Sequence, residues 1–239
     1  MGIEKQDPFG RAVKDYYSSF FNWRKIVVSS SVTGVEKINP SYLFRTFKKM
    51  PYLEKKALEH CRGKILDVGA CAGSHSLYLQ KQGFDITALD QSVGCCETMR
   101  MRGLKKVICE DFYNYQGETY DTLLFLMNGI GIAGTLDGLK KFLDHCSALL
   151  NTGGQILFDS SDIDFIYYEK DGSRWFDLNQ RYYGEIRYKL SYREHESDFF
   201  DWLFVDAETI EKIADETGFS FNILAEGIHY DYLGYLKKL

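Results

Sequence analysis

The feature that most constrains the fold is a change of texture at Lys64. From there to Asp159, short apolar runs at 64–68, 84–89, 106–109, 119–127 and 155–159 alternate with helical segments near 74–82, 92–102 and 136–150. Runs of this length, bounded by glycines and separated by helices, read as βαβ units around a parallel sheet. Parallel neighbours need covered, right-handed crossovers, so helices are expected on both faces of a doubly wound sheet. Outside this stretch the pattern differs. Residues 1–60 read as an irregular, helical N-terminal cap, with a turn at 29–34 and a helix over 41–61 broken near Pro51. Residues 160–205 read as a lid-like insertion after the fifth strand. Its second half, 182–205, alternates as a β-hairpin around a polar turn at 194–198. Asp206 is placed to cap a helix that ends at Gly218, and 219–225 and 228–236 then read as two final strands.

At 239 residues the chain suits one domain. The formal net charge is −5, which disfavours a dedicated nucleic-acid binder. The first ten residues are polar, and no apolar run approaches the roughly 18–20 residues of a membrane span, so a cytoplasmic protein is expected. The six cysteines lack zinc-site spacing, and no metal is expected. Adjacent Cys95 and Cys96 fall on a helical segment and read as buried free thiols. Aromatic residues make up 15% of the chain and crowd its flanks rather than 64–160. Any one of them fits core packing better than a substrate contact.

The segment Lys64-Ile-Leu-Asp67-Val-Gly69-Ala70-Cys71-Ala-Gly73-Ser-His75 ends a strand at a glycine-bearing turn that opens a helix. Glycine permits positive φ and close approach of a ligand, and the helix start offers free N–H groups. In an open α/β sheet this is where a nucleotide-like ligand binds. A dinucleotide fingerprint would need glycine at 71 and 74, where Cys71 and Ser74 stand, and no GxxxxGK[ST] loop is present. The acid at Asp67 disfavours a phosphate and suits a ligand with an amino group. The next strand ends at Asp90, 23 residues on, close to the ~20-residue interval of a ribose-binding acid. The alternative for Asp90 is an ordinary helix cap.

Asp67-Val-Gly69-Ala70-Cys71-Ala-Gly73 resembles motif I, (D/E)xGxGxG, of the class I S-adenosylmethionine-dependent methyltransferases, with Cys71 in place of the middle glycine. The order of strands and acids over 64–160 continues the likeness. It implies a Rossmann-like, mostly parallel seven-stranded sheet, and S-adenosylmethionine as cofactor. It also implies a cofactor site of Asp67, Gly69, Ala70, Cys71, Gly73, Asp90, Gln91, Asp111, Phe112 and Asn128. Asp90 would take the ribose hydroxyls and Asp111 the adenine amine. The Phe112 N–H would meet a ring nitrogen, with its ring along the adenine face. Asn128, followed by Gly129 and Ile130, would sit beside the sulfonium without an N-methyltransferase-type Pro-Pro-aromatic signature.

The function expected from this resemblance is methyl transfer by in-line displacement to a small-molecule acceptor. RNA or protein methylation is a second reading. It predicts a basic stripe, for which Lys48, Lys49, Lys55, Lys56, Arg100, Arg102, Lys105 and Lys106 are candidates. A non-catalytic cofactor-binding regulator is a third. The catalytic base is not identified. His75, His195, His229 and Asp159 are candidates without a visible orienting partner in the sequence. The acceptor and the oligomeric state are not legible.

Overall fold

The protein is described from a computed structural model, covering residues 7–19, 24–168 and 181–239. Its larger sheet has seven strands. Five are parallel: β3 (Lys64–Val68), β4 (Asp85–Asp90), β5 (Val107–Cys109), β6 (Tyr120–Phe125) and β7 (Leu150–Ser161). Two antiparallel strands, β11 (Phe219–Glu226) and β12 (Asp231–Lys238), extend the β7 edge. The order is β11-β12-β7-β6-β3-β4-β5. Strand order therefore reverses between β3 and β6, which opens a crevice at their C-terminal ends.

Helices cover both faces. On one, α5 (Leu136–Leu149) and α6 (Ala207–Glu216) bury Leu139, Phe142, Leu143, Ile210 and Ala214 against Leu66, Leu123, Phe125 and Phe158. On the other, α2 (Tyr52–His60) and α3 (Ser74–Lys81) bury Leu53, Ala57 and Leu79 against Ile65, Leu124 and Leu157. The helix α4 (Val93–Met101) packs Cys96 and Met99 on Ala88. Cys95 and Cys96 are buried and free. The seven strands and the capped helix behind Asp206, whose side chain accepts from the Thr209 N–H at 2.9 Å, follow the sequence reading.

The flanks do not. The N-terminal segment holds a hairpin where helix was expected: β1 (Ile26–Ser30) and β2 (Gly34–Ile38), joined at residues 31–33. Its run of Ile26, Val27, Val28, Val32, Thr33 and Val35 is β-branched, which suits a pleated strand better than a helix. The helix expected over 41–61 begins only at Tyr52; before it lie 3₁₀ turns at Pro40–Phe44 and Phe47–Lys49. One true helix precedes the hairpin, α1 (Pro8–Ser18), capped by Asp7, which accepts from the Gly10 N–H at 2.7 Å.

The expected insertion hairpin is three strands: β8 (Glu185–Tyr192), β9 (His195–Glu196) and β10 (Phe200–Leu203). Moreover β8 pairs with β1, Val27 opposite Ser191 and Ser30 opposite Tyr188. The two flanks thus share a second antiparallel sheet, β10-β8-β1-β2, with β9 on β8. Phe20, Phe21, Trp23, Trp175 and Phe176, named above among the flank aromatics or their neighbours, lie outside the described residues.

Candidate cofactor and active site

The turn after β3 is built as its glycines suggest. Gly69 and Gly73 take φ of +70° and +76°. At Gly69 a Cβ would meet nothing within 4 Å, so the chain there faces open space a ligand can occupy. Cys71 replaces a glycine at φ +55°, within the left-handed region that an L-residue enters at a cost of about 1–2 kcal/mol. Its N–H donates to Asp90 Oδ2 at 2.8 Å, and the Ser92 N–H donates to Oδ1 at 2.8 Å. Each Asp90 oxygen keeps one lone pair for a further donor. Burial pushes the Asp90 carboxyl up to about 6, against the pull of those two N–H groups and with Asp7 and Asp67 adding to the rise. Gln91 is exposed beside it.

Asp67 lies beneath the turn, 2% exposed, and accepts the Ser76 hydroxyl at 2.5 Å. Burial raises its pKa, with His75 and Ser76 opposing. Its direct work is to anchor the first turn of α3. Ala70 is buried, and its N–H and that of Gly69 are held by the Leu89 carbonyl at 3.2 and 2.9 Å.

At the end of β5, Asp111 accepts from the Tyr113 N–H at 2.9 Å. Phe112 corrects an expectation. Its ring is 3% exposed and packs edge-on against Phe125 and His145, so it lies in the core and not along a bound adenine. The apolar pull of α5 and β6 decides this. Only its backbone and its neighbour Tyr113 reach the surface.

At the end of β6, Met127 and Asn128 take φ of +62° and +56°. Two successive left-handed L-residues are costly, and such strain gathers at functional sites. The Asn128 N–H donates to Asp159 Oδ2 at 3.1 Å, and its side-chain Nδ2 donates to the Leu203 carbonyl at 3.1 Å. That second bond ties the site to β10. Asp159, at the end of β7, is pushed up to about 6 by burial, with Glu54 raising and His75 lowering it.

His75 has the orienting partner that the sequence concealed. Its Nε2 is 2.8 Å from Glu54 Oε2. Glu54 is also gripped by Arg45, through Nε at 3.2 Å and through Nη2. Arg45, Glu54 and His75 are 6%, 4% and 7% exposed, and Tyr42 lies 4.1 Å over the guanidinium. The Glu54 carboxyl is held below its ordinary value: desolvation opposes, and His75 and Arg45 prevail. Sequence analysis missed Arg45 and Glu54 because each stands alone on a short element. The signal was a pair of charges in an otherwise apolar stretch. His195 belongs to the second sheet and His229 is exposed.

These residues fit an adenosine-bearing cofactor: an open glycine, a carboxylate with spare lone pairs and a neighbouring strand-end acid lie in order along β3, β4 and β5. Comparison with known proteins agrees. Residues 66–158 match a family model described as a methyltransferase domain. A methyltransferase from Bacteroides fragilis, solved with S-adenosyl-L-homocysteine, is 38% identical with a TM-score of 0.92, over 98% of this chain and 96% of that one. The chain belongs to the class I S-adenosylmethionine-dependent methyltransferases. S-adenosylmethionine is its cofactor. More distant likenesses to this methyltransferase show the fold alone. One is an amino pentose methyltransferase from Micromonospora echinaspora, at 14% identity, TM-score 0.54, and 81% and 94% coverage of the two chains. Another is the magnesium protoporphyrin IX methyltransferase of Synechocystis, at 12%, 0.52, and 97% of each. No curated protein matches the sequence. Among the described residues no helix of the methyltransferase is long and apolar enough to cross a membrane.

Proposed function

We propose that the enzyme methylates a small-molecule acceptor by in-line displacement, over the C-terminal ends of β6 and β7. Sheet order supports the placement. Asp111 on β5 and Asp90 on β4 are taken as the adenosine end, and Gly69 on β3 as the middle. The reacting end then points to β6, and the acceptor approaches from the β7 side. Bound S-adenosylmethionine supplies an electrophilic methyl group on a positively charged sulfur, so alignment and water exclusion carry most of the acceleration.

The observation that carries the small-acceptor reading is that the chain's own flanks close in this end. Asn128 is bonded to the Leu203 carbonyl of β10 at 3.1 Å, and a Cβ on Gly131 would lie 2.2 Å from Trp202 Nε1. From the other side, the turn holding Tyr42 and Leu43 is tied to α3, where the Ser74 hydroxyl donates to the Leu43 carbonyl at 2.6 Å. In this reading 1–60 and 160–205 act as cap and lid. The basic residues proposed for a polymer stripe are otherwise engaged. Arg102 turns inward to the Ala72 carbonyl, Arg100 holds the Val107 carbonyl at 3.1 Å, and Lys106 and Lys56 pair with Asp85 and Glu59.

Labelled methyl groups provide the test. The enzyme is incubated with methyl-labelled S-adenosylmethionine and with small-molecule, RNA and protein fractions of a cell extract. Label in the low-molecular-weight fraction is expected. Label confined to RNA or protein overturns the small-acceptor reading.

A further inference from the structure

Two buried oxygens at the acceptor end have no hydrogen-bond partner among the described residues: Asn128 Oδ1 and Asp159 Oδ1. The assignment of the Asn128 amide is fixed by chemistry, because the Leu203 carbonyl accepts from its Nδ2 and leaves the oxygen free. Asp159 Oδ2 is taken by the Asn128 N–H, which fixes the carboxylate and leaves Oδ1 free. A buried acceptor without a donor costs about 1–3 kcal/mol, and a carboxylate oxygen more. Two of them side by side, on the ends of adjacent strands, mark a place built for a donor that the described residues do not supply.

The chemistry of that donor is constrained. A hydroxyl carries one proton and satisfies one of the two oxygens. A single nitrogen with two or more N–H groups satisfies both. The charge balance favours a cation. Glu54 adds negative charge near Asp159, and Arg45 is spent on Glu54. His75 contributes one opposing charge, with its Nε2 already on Glu54. Water also carries two protons, but it brings no charge.

We infer that Asp159 and Asn128 form a subsite for an amine or ammonium group, with Asp159 the recognition residue. The inference rests on the methyltransferase-site reading above and deepens it. The nitrogen has two possible sources with the same chemistry: the amino group of the cofactor's amino-acid end, or an amine on the acceptor.

Calorimetric titration separates them. Wild type and Asp159→Asn are titrated with S-adenosylhomocysteine and with 5′-methylthioadenosine, which lacks the amino-acid end. Asparagine keeps an acceptor for the Asn128 N–H. If the nitrogen is the cofactor's, the variant binds S-adenosylhomocysteine about tenfold or more weakly, the cost of a charged hydrogen bond, while 5′-methylthioadenosine is unchanged. If S-adenosylhomocysteine is unchanged as well, the nitrogen is the acceptor's. Methylammonium must then shift the Asp159 carboxyl ¹³C resonance saturably in the wild-type complex with S-adenosylhomocysteine, a measurement that needs no variant. Equal loss of both nucleosides, or unchanged nucleoside binding with no response to methylammonium, overturns the inference and leaves water as the occupant. The small-acceptor reading is decided by where labelled methyl goes, which neither titration measures, so the two failures are distinguishable.

Discussion

At the scale of single residues, the site is a set of carboxylates held away from their ordinary behaviour. Asp90 shows the sign most clearly. Its carboxyl is pushed up to about 6 in the ligand-free protein, and ribose hydroxyls donate to the ionised form. Affinity for S-adenosylhomocysteine is therefore expected to fall as pH drops from 7 to 5, and the Asp90→Ala variant to lose both most of the affinity and this pH dependence. The groups facing Asp90 are Asp7, Asp67 and the N–H groups of Ser92 and Cys71. A calorimetric pH series checks this, and a flat profile in wild type removes Asp90 from the ribose role. Glu54 has the opposite sign. Its pKa is lowered in the folded state, so its contribution is present above its ordinary value near 4.5 and is lost as pH falls through the folded value. Glu54→Gln leaves Arg45 buried beside a neutral partner, and a loss of about 3–5 kcal/mol is expected in denaturant unfolding at pH 7.

At the scale of elements, α1 is docked by absence of side chains. A Cβ on Gly94 would lie 2.4 Å from the Gly10 carbonyl oxygen, and one on Gly10 would lie 2.0 Å from Ser92 Oγ. Ser92 caps α4 by accepting from the Cys95 N–H at 3.0 Å, and its hydroxyl reaches Asp7 Oδ2 at 2.7 Å. The start of α4 follows directly on Asp90, so this helix pair buttresses the ribose acid. Gly94→Val forces the helices apart. A loss of about 1–3 kcal/mol is expected, with faster amide exchange in α1 than elsewhere. An undisturbed α1 in hydrogen exchange contradicts the docking role. The sequence placed the β3–α3 turn and the strand-end acids correctly because each depends on residues a few positions apart. It misread 26–38 because a hairpin's β-branched run was weighed as part of an irregular helical region. It also placed the Phe112 ring at the cofactor, because burial by α5 is not visible in a local window.

At the scale of the whole molecule, the two sheets meet through α1. Its Asp15 pairs with Arg193 at 2.8 Å and lies 3.3 Å from the Tyr192 hydroxyl, at the end of β8, while its N-terminus holds the α4 start. Cofactor contact at Asp90 is thereby linked to the second sheet that borders the acceptor end. On addition of S-adenosylhomocysteine, amide exchange is expected to slow in residues 69–76, 90–95 and α1, and to be unchanged in β11. Protection confined to 69–76 contradicts the link.

The sequence by itself determined the parallel core, the order of its acids and the cofactor class. These rest on hydrophobic period, glycine-bearing turns and spacing, all short-range properties that survive without knowledge of the fold. Tertiary structure alone decided three things. It joined β1 to β8 across some 160 residues, it brought Arg45 and Glu54 to His75, and it set Asp159 against Asn128. Each is a contact between segments whose separate sequences carry no mark of the other. Each is fixed by burial, which makes an unpaired charge or backbone group too costly to leave without a partner.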